Sequence, residues 1–314
     1  MTAGTDTLNQ TAEALRSARA ASLWRDTLRS ILQQRSARVG LVILGFLALV
    51  ALLAPVIAPF DPTVPLIGIE DNIVARSGPC IHLLGCPASQ PEHWFGVDSN
   101  FRDVFSIVVW GSRISLYIGF VTVGFAIVVG SFLGAVAGYA GGWIDTLIMR
   151  VMDVLLVFPA LLLAIAIVTV LGRGLVNAQL AIGTVAIPVY ARIMRSSVIS
   201  VRELDYVTAS RALGEDGWGI LLRRILPNSL TPVIVAGTLG VGGAVLDVAA
   251  LSFIGLAAQP PTPEWGSMIG LNRNLLFSAP HLILLPGLAI TLTVFGFNLF
   301  GDGLRDALDP RLNR

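Results

Sequence analysis

Six runs of apolar residues, each close to the ~20 that a helix needs to cross a bilayer, constrain this 314-residue chain more than any other feature. Backbone N–H and C=O groups find no water in hydrocarbon, so such runs must fold as helices. Four of them precede one strongly polar interruption, Arg202 to Asn228, and two follow it. The interruption carries Glu203, Asp205, Glu215 and Asp216 together with Arg202, Arg211, Arg223 and Arg224. At about 2.5 to 3.5 kcal/mol per charge at a bilayer centre, that segment must lie in water. Composition agrees: 13% of residues are charged, against about 25% in soluble domains. The fold class expected is an all-α polytopic membrane protein with six transmembrane helices.

In chain order, residues 1–38 are polar and arginine-bearing, and Leu23, Trp24, Leu28, Ile31 and Leu32 fall at helical spacing. This predicts a tail ending in an interfacial helix on the membrane lipid. Because the first apolar run is long enough to span and stay, no cleavable signal peptide is expected. Span 1 covers 39–58 and closes at Pro59 and the turn Phe60-Asp61-Pro62. A Pro- and Gly-rich excursion over 59–113 follows, and 114–314 reads as a five-span core with a polar loop at 196–228. Within span 2, at about 114–138, Gly130, Gly134 and Gly138 recur every four residues, which places them on one face and permits close approach of a neighbouring helix. Span 3, at about 147–171, is expected to bend at Pro159. Span 4 ends near Arg192, span 5 takes about 230–257 and span 6 about 281–300.

All 21 basic residues are arginine, and they divide unequally. Six spans put both termini, the span 2–3 turn and the polar segment on one side, with sixteen arginines; the other side has Arg76, Arg102, Arg113, Arg173 and Arg273. The excess marks the first side as cytoplasmic and the excursion as external. Net charge, at +1, gives no indication of a nucleic-acid partner. An external excursion permits one small disulfide between Cys80 and Cys86. The set Cys80, His82, Cys86 and His93 fits none of the short zinc spacings, so no metal is assigned and the histidines are read as surface groups.

The polar segment has internal order. Tyr206 to Leu213 has good helix formers, Gly214, Asp216 and Gly217 break it, and Trp218 to Leu226 forms a second helix ended by Pro227-Asn228. Two short helices joined at a glycine make a knob that fits a groove. The pattern Thr208-Ala209-Ser210, then Gly214, then Ile225-Leu226-Pro227 resembles the coupling loop of ABC importer permeases, whose motif reads Glu-Ala-Ala, three residues, Gly, and an Ile-x-Pro-like end. Thr208 and Ser210 depart from that motif, so no salt bridge of the family glutamate is carried over. Residues 54–62, 93–116, 141–164 and 251–265 resemble the same family, in the branch of second permease subunits of dipeptide and oligopeptide importers.

The resemblance implies a permease of the bacterial inner membrane, paired with a homologous permease as a heterodimer. Its other partners would be two cytoplasmic ATPases and an external peptide-binding protein. ATP and Mg would sit on the ATPases, with no cofactor on this chain, and Tyr206, Thr208, Ala209, Ser210, Gly214, Ile225 and Pro227 would serve ATPase coupling. Asp98, Arg102 and Asp103 are similar to a family motif that ties the excursion to the bundle, and Trp265 to an outer-face residue.

Two intramembrane acids stand out. Asp153 has Arg150 three residues earlier on the same helix face, which favours a packing or helix-interface ion pair over a pore contact. Asp247 has no local arginine; a pore-facing contact and a hydrogen bond to a partner helix both remain open. No phosphate loop can exist in a chain without lysine, so this chain is not the ATPase, and neither a zinc-protease motif nor a nucleophile elbow occurs. Nickel or another small solute is the alternative cargo, and secondary transport an alternative mechanism; no inverted repeat supports the latter.

Overall fold

The computed structural model describes residues 29–308; the tail 1–28 and the interfacial residues Leu23, Trp24 and Leu28 fall outside them, as does 309–314. Helix α1 spans Arg35–Ile57, α2 Val104–Ala140, α3 Gly142–Val157, α4 Ala160–Leu171, α5 Leu175–Arg202 and α6 Asp205–Ala212. A composite helix α7 (217–229) follows, then α8 Thr231–Phe253, α9 Trp265–Asn272 and α10 His281–Leu308. Among the described residues there is no strand, only isolated bridges within the excursion.

Among the described residues five helices, α1, α2, α5, α8 and α10, are long and apolar enough to cross a membrane, and α3 with α4 makes a sixth span if counted as one broken element. That pair turns through 95° at Phe158-Pro159, a sharper event than the proline bend read from sequence. Phe158 is extended, and Pro159 has no N–H with which to continue the ladder. Helix α2 starts at Val104, inside the stretch assigned to the excursion, and its 37 residues reach about 55 Å, well past a ~30 Å hydrocarbon layer. Its first turns therefore stand outside the membrane, capped by the Asp103 side chain, which accepts from the Ser106 amide at 2.7 Å.

The most extensive packing is α2 against α5. A Cβ at Gly130 would lie 2.7 Å from the Ile187 carbonyl and one at Gly138 2.9 Å from that of Arg195; Gly134 faces the Ala191 backbone still more closely. The four-residue glycine series thus serves contact within this chain. Gly266 and Gly270 of α9 press likewise on the backbone of α8 at Ala249 and Phe253. The largest apolar core joins Val123 and Ala126 of α2, Tyr190 and Met194 of α5, and Val233, Val241 and Ala244 of α8. Val207 of α6 and Ile220 and Ile225 of α7 belong to that same core.

Candidate coupling segment and membrane polar sites

Between α5 and α8 the chain leaves the bundle, turns twice and returns. Helix α6 ends in a paired-bond stop: the Gly214 amide donates to the Arg211 carbonyl at 3.0 Å and the Glu215 amide to the Ser210 carbonyl at 3.2 Å. Gly214 holds φ +82° with open space where a Cβ would be, so only backbone strain opposes a side chain there. Two residues on, Asp216 starts α7, its carboxylate accepting from the Gly219 amide at 3.0 Å. Helix α7 opens with the turn Gly217–Gly219, widens to a π-helix over Ile220–Ile225 and closes with Leu226–Ser229.

The second helix therefore does not end at Pro227 but runs through it. Pro227 brings no N–H to the ladder, and the widened turn shifts the bonding, with the Leu226 amide reaching the Leu221 carbonyl. The Arg224 carbonyl becomes a junction that accepts from the Tyr206 hydroxyl at 3.3 Å and from Asn228 Nδ2 at 2.6 Å. Above it, the Arg224 guanidinium meets Glu215 at 3.2 Å. These contacts tie the two short helices into one body.

Of the residues assigned to coupling, Tyr206, Thr208, Ala209, Gly214 and Pro227 are exposed, whereas Ser210 and Ile225 are buried. Ile225 is a foot in the bundle core. The outward surface instead includes Leu213, 87% exposed, and Trp218, 62% exposed, either side of the glycine corner. Neither was singled out from the sequence. A large apolar residue next to a helix-stopping glycine in a polar segment is the signal that points to them.

The membrane acids resolve differently. Asp153 pairs with Arg192 at 2.6 Å, not with Arg150 on its own helix. Asp145 binds Arg195, with Nη2 donating at 2.6 Å, so α3 is clipped to α5 twice. Arg202 adds a bond from Nη1 to the Gly138 carbonyl at 2.8 Å. Asp247 sits half-buried on α8 beside the α3–α4 break.

On the opposite side the excursion is tied down by buried polar groups. Cys80 and Cys86 are joined in a disulfide. His93 is 2% exposed, not the surface group read from the sequence. Its Nδ1 lies 2.9 Å from Asp103 and its Nε2 3.0 Å from Glu70. Burial works against the charged imidazole, but the two carboxylates outweigh it and raise the pKa above the ordinary histidine value. Arg102 donates to Asp98 at 2.7 Å, both side chains buried, and Ser99 donates to Asn272 at 3.3 Å. Trp265 is buried, its Nε1 donating to the Val108 carbonyl at 3.0 Å, so it packs against α2 inside the bundle and not on a face. Glu264 caps α9 through the Gly266 and Ser267 amides at 2.9 and 2.8 Å. Burial pushes its carboxyl pKa up, against those amides.

A helical bundle of apolar spans with a disulfide-bonded cap and a two-helix knob has the architecture of a polytopic membrane protein. Residues 126–314 match the family described as binding-protein-dependent transport system inner membrane component, and 22–77 match the N-terminal transmembrane domain of oligopeptide transport permease C. The chain belongs to the binding-protein-dependent transport system inner membrane component family, the ABC permeases of the dipeptide and oligopeptide branch. It is 45% identical over 293 residues to the dipeptide transport system permease protein DppC of Alkalihalophilus pseudofirmus, covering 93% of this chain and 91% of that one. It is 41% identical over 290 residues to the glutathione transport system permease protein GsiD of Pectobacterium atrosepticum, covering 92% and 91%. Among solved structures, an inward-facing form of the MetNI methionine ABC transporter superposes with TM-score 0.55 at 18% identity, covering 65% of this chain and 97% of that one. The chain is thus a multi-pass inner-membrane permease, a transport subunit and not an enzyme.

Proposed function

We propose that this chain pairs with a homologous permease to form the path by which an ATP-driven importer moves short peptides into the cell. The 196–228 loop docks on a cytoplasmic ATPase. Two ATPases carry ATP and Mg, an external binding protein delivers the peptide, and both termini lie in the cytoplasm. Dipeptide and glutathione permeases among the relatives support a peptide cargo. The observation that carries the coupling role is the shared core: Val207, Ile220 and Ile225 pack with Tyr190, Val233 and Val241 of the spans. Close-packed interiors transmit displacement instead of absorbing it. A push on Leu213 or Trp218 therefore reaches α5 and α8 through contiguous side chains.

The decisive variant is Gly214→Val in the assembled transporter. A β-branched residue at this φ costs about 1 to 3 kcal/mol and spoils the corner. Substrate-stimulated ATP hydrolysis should fall about tenfold or more, on the scale of 1.4 kcal/mol per decade, with the subunit still in the membrane. Normal stimulation in that variant would sink the coupling assignment.

A further inference from the structure

Among the described residues, Asp247 is the one charged side chain lining a cavity of about 210 Å³ between the broken span 3, α5 and α8. The rest of the lining is apolar, with Leu155, Phe158 and Ala160 from the break and Ile182 and Val189 from α5. Its carboxylate meets no hydrogen-bond donor and no cation among the described residues. The nearest arginine on α5 beyond Val189, Arg192, is already held by Asp153 at 2.6 Å. Gly243, one turn earlier on the same face of α8, has open space where a side chain would be.

The wall opposite adds a second feature of the same sign. Helix α3 ends at Val157 with Phe158 extended and no capping bond, and Pro159 cannot donate. The last-turn carbonyls of a 16-residue helix are thus left without intrahelical donors, and the partial negative charge of a helix C-terminus gathers there. An unpaired acid and an uncapped helix end, in a pocket lined otherwise by apolar side chains, form an environment that a cation relieves. The cavity is smaller than the ~300 Å³ at which ligand pockets begin, so it takes one end of a peptide and not the whole.

We propose that this pocket receives the protonated amino terminus of the peptide in transit, with Asp247 as its counter-ion and the α3 carboxyl end as added acceptors. The inference rests on the peptide-importer reading. On this reading the site selects for a terminus common to all peptides, because the rest of the lining is apolar.

The test uses the complete transporter in proteoliposomes. Cys80 and Cys86 are the chain's only cysteines and are bonded to each other, so Ala160→Cys supplies a single reporter thiol in the pocket, with alkylation read by mass spectrometry of this chain. A dipeptide with a free amino terminus should protect that thiol, and adding Asp247→Asn should raise the concentration needed about tenfold or more, the scale of a charge-assisted hydrogen bond. The N-acetylated dipeptide should protect poorly in both. Equal protection with aspartate and asparagine, protection by sodium alone, or uptake of labelled dipeptide without protection would each overturn the site while leaving the importer reading intact. Absence of uptake of any peptide by the wild-type complex would overturn the importer reading, and the site with it.

Discussion

The two polar excursions of this chain solve opposite problems. The outer one, between α1 and α2, is secured by a disulfide, the buried Asp98–Arg102 pair at 2.7 Å and the Glu70–His93–Asp103 clamp. The inner one, between α5 and α8, has its ion pair Glu215–Arg224 near the surface and rests mainly on apolar feet inside, with the small Ser210 and Ser229 buried beside them. Cross-links and buried charges fix a segment to itself and to α2, which suits a cap. Apolar feet in the core of the spans leave the surface free to be gripped, which suits the lever role proposed for it.

The sharpest way to break the contrast is to remove His93. His93→Ala strands Asp103 and Glu70, and breaking a buried pair of this kind costs about 3 to 5 kcal/mol. Hydrogen exchange at the Cys80 and Val97 amides, which now bond to His93 and Ser77 carbonyls, should accelerate strongly, while the 205–229 amides stay protected. If both segments loosen together, the cap is not an independent unit.

The clamp also makes the outer cap pH-sensitive. Because the folded pKa of His93 is raised, its contribution is complete below the unfolded value of about 6.5. It is lost as pH rises through the folded value. Corrected for the intrinsic base-catalysed rate, protection of the same two amides should fall across that interval and stay constant in His93→Ala. A smaller effect comes from Cys80→Ser, which opens a ring with cysteines six positions apart. Loop entropy for so short a ring amounts to about 2 kcal/mol, and proteolysis should become faster within 80–93 only. Smallest is Glu215→Gln: an exposed pair contributes about 0 to 1 kcal/mol, so knob stability should barely change. A large loss there would show that the lever depends on its charge after all.

Much of this was legible from residue order. Five long helices and the broken sixth fall where the apolar runs lie, because hydrophobic length is a local property. The stop at Gly214 was legible too, since a glycine after a helical stretch is the usual left-handed terminator. The continuation of α7 through Pro227 was not: proline signals a helix end, and a π-turn that accommodates it depends on what packs around it. Asp153 invited pairing with Arg150 at helical spacing, yet the ion pair forms with Arg192, on a helix that sequence spacing does not place beside it. His93 read as a surface group because a polar residue in a polar loop carries no sign of the carboxylates that enclose it.

The sequence by itself determined the class of molecule: how many apolar runs cross, which side carries the arginines, and where the polar knob must emerge. Hydrocarbon punishes every unpaired backbone group and charge, so those outcomes follow from composition along the chain. Tertiary structure alone decided the partners across space. It set α2 against α5 at backbone distance through Gly130, Gly134 and Gly138, buried the clamp at His93, and left Asp247 facing a cavity with no partner among the described residues. Burial and pairing depend on what the rest of the fold brings near, which no local pattern encodes.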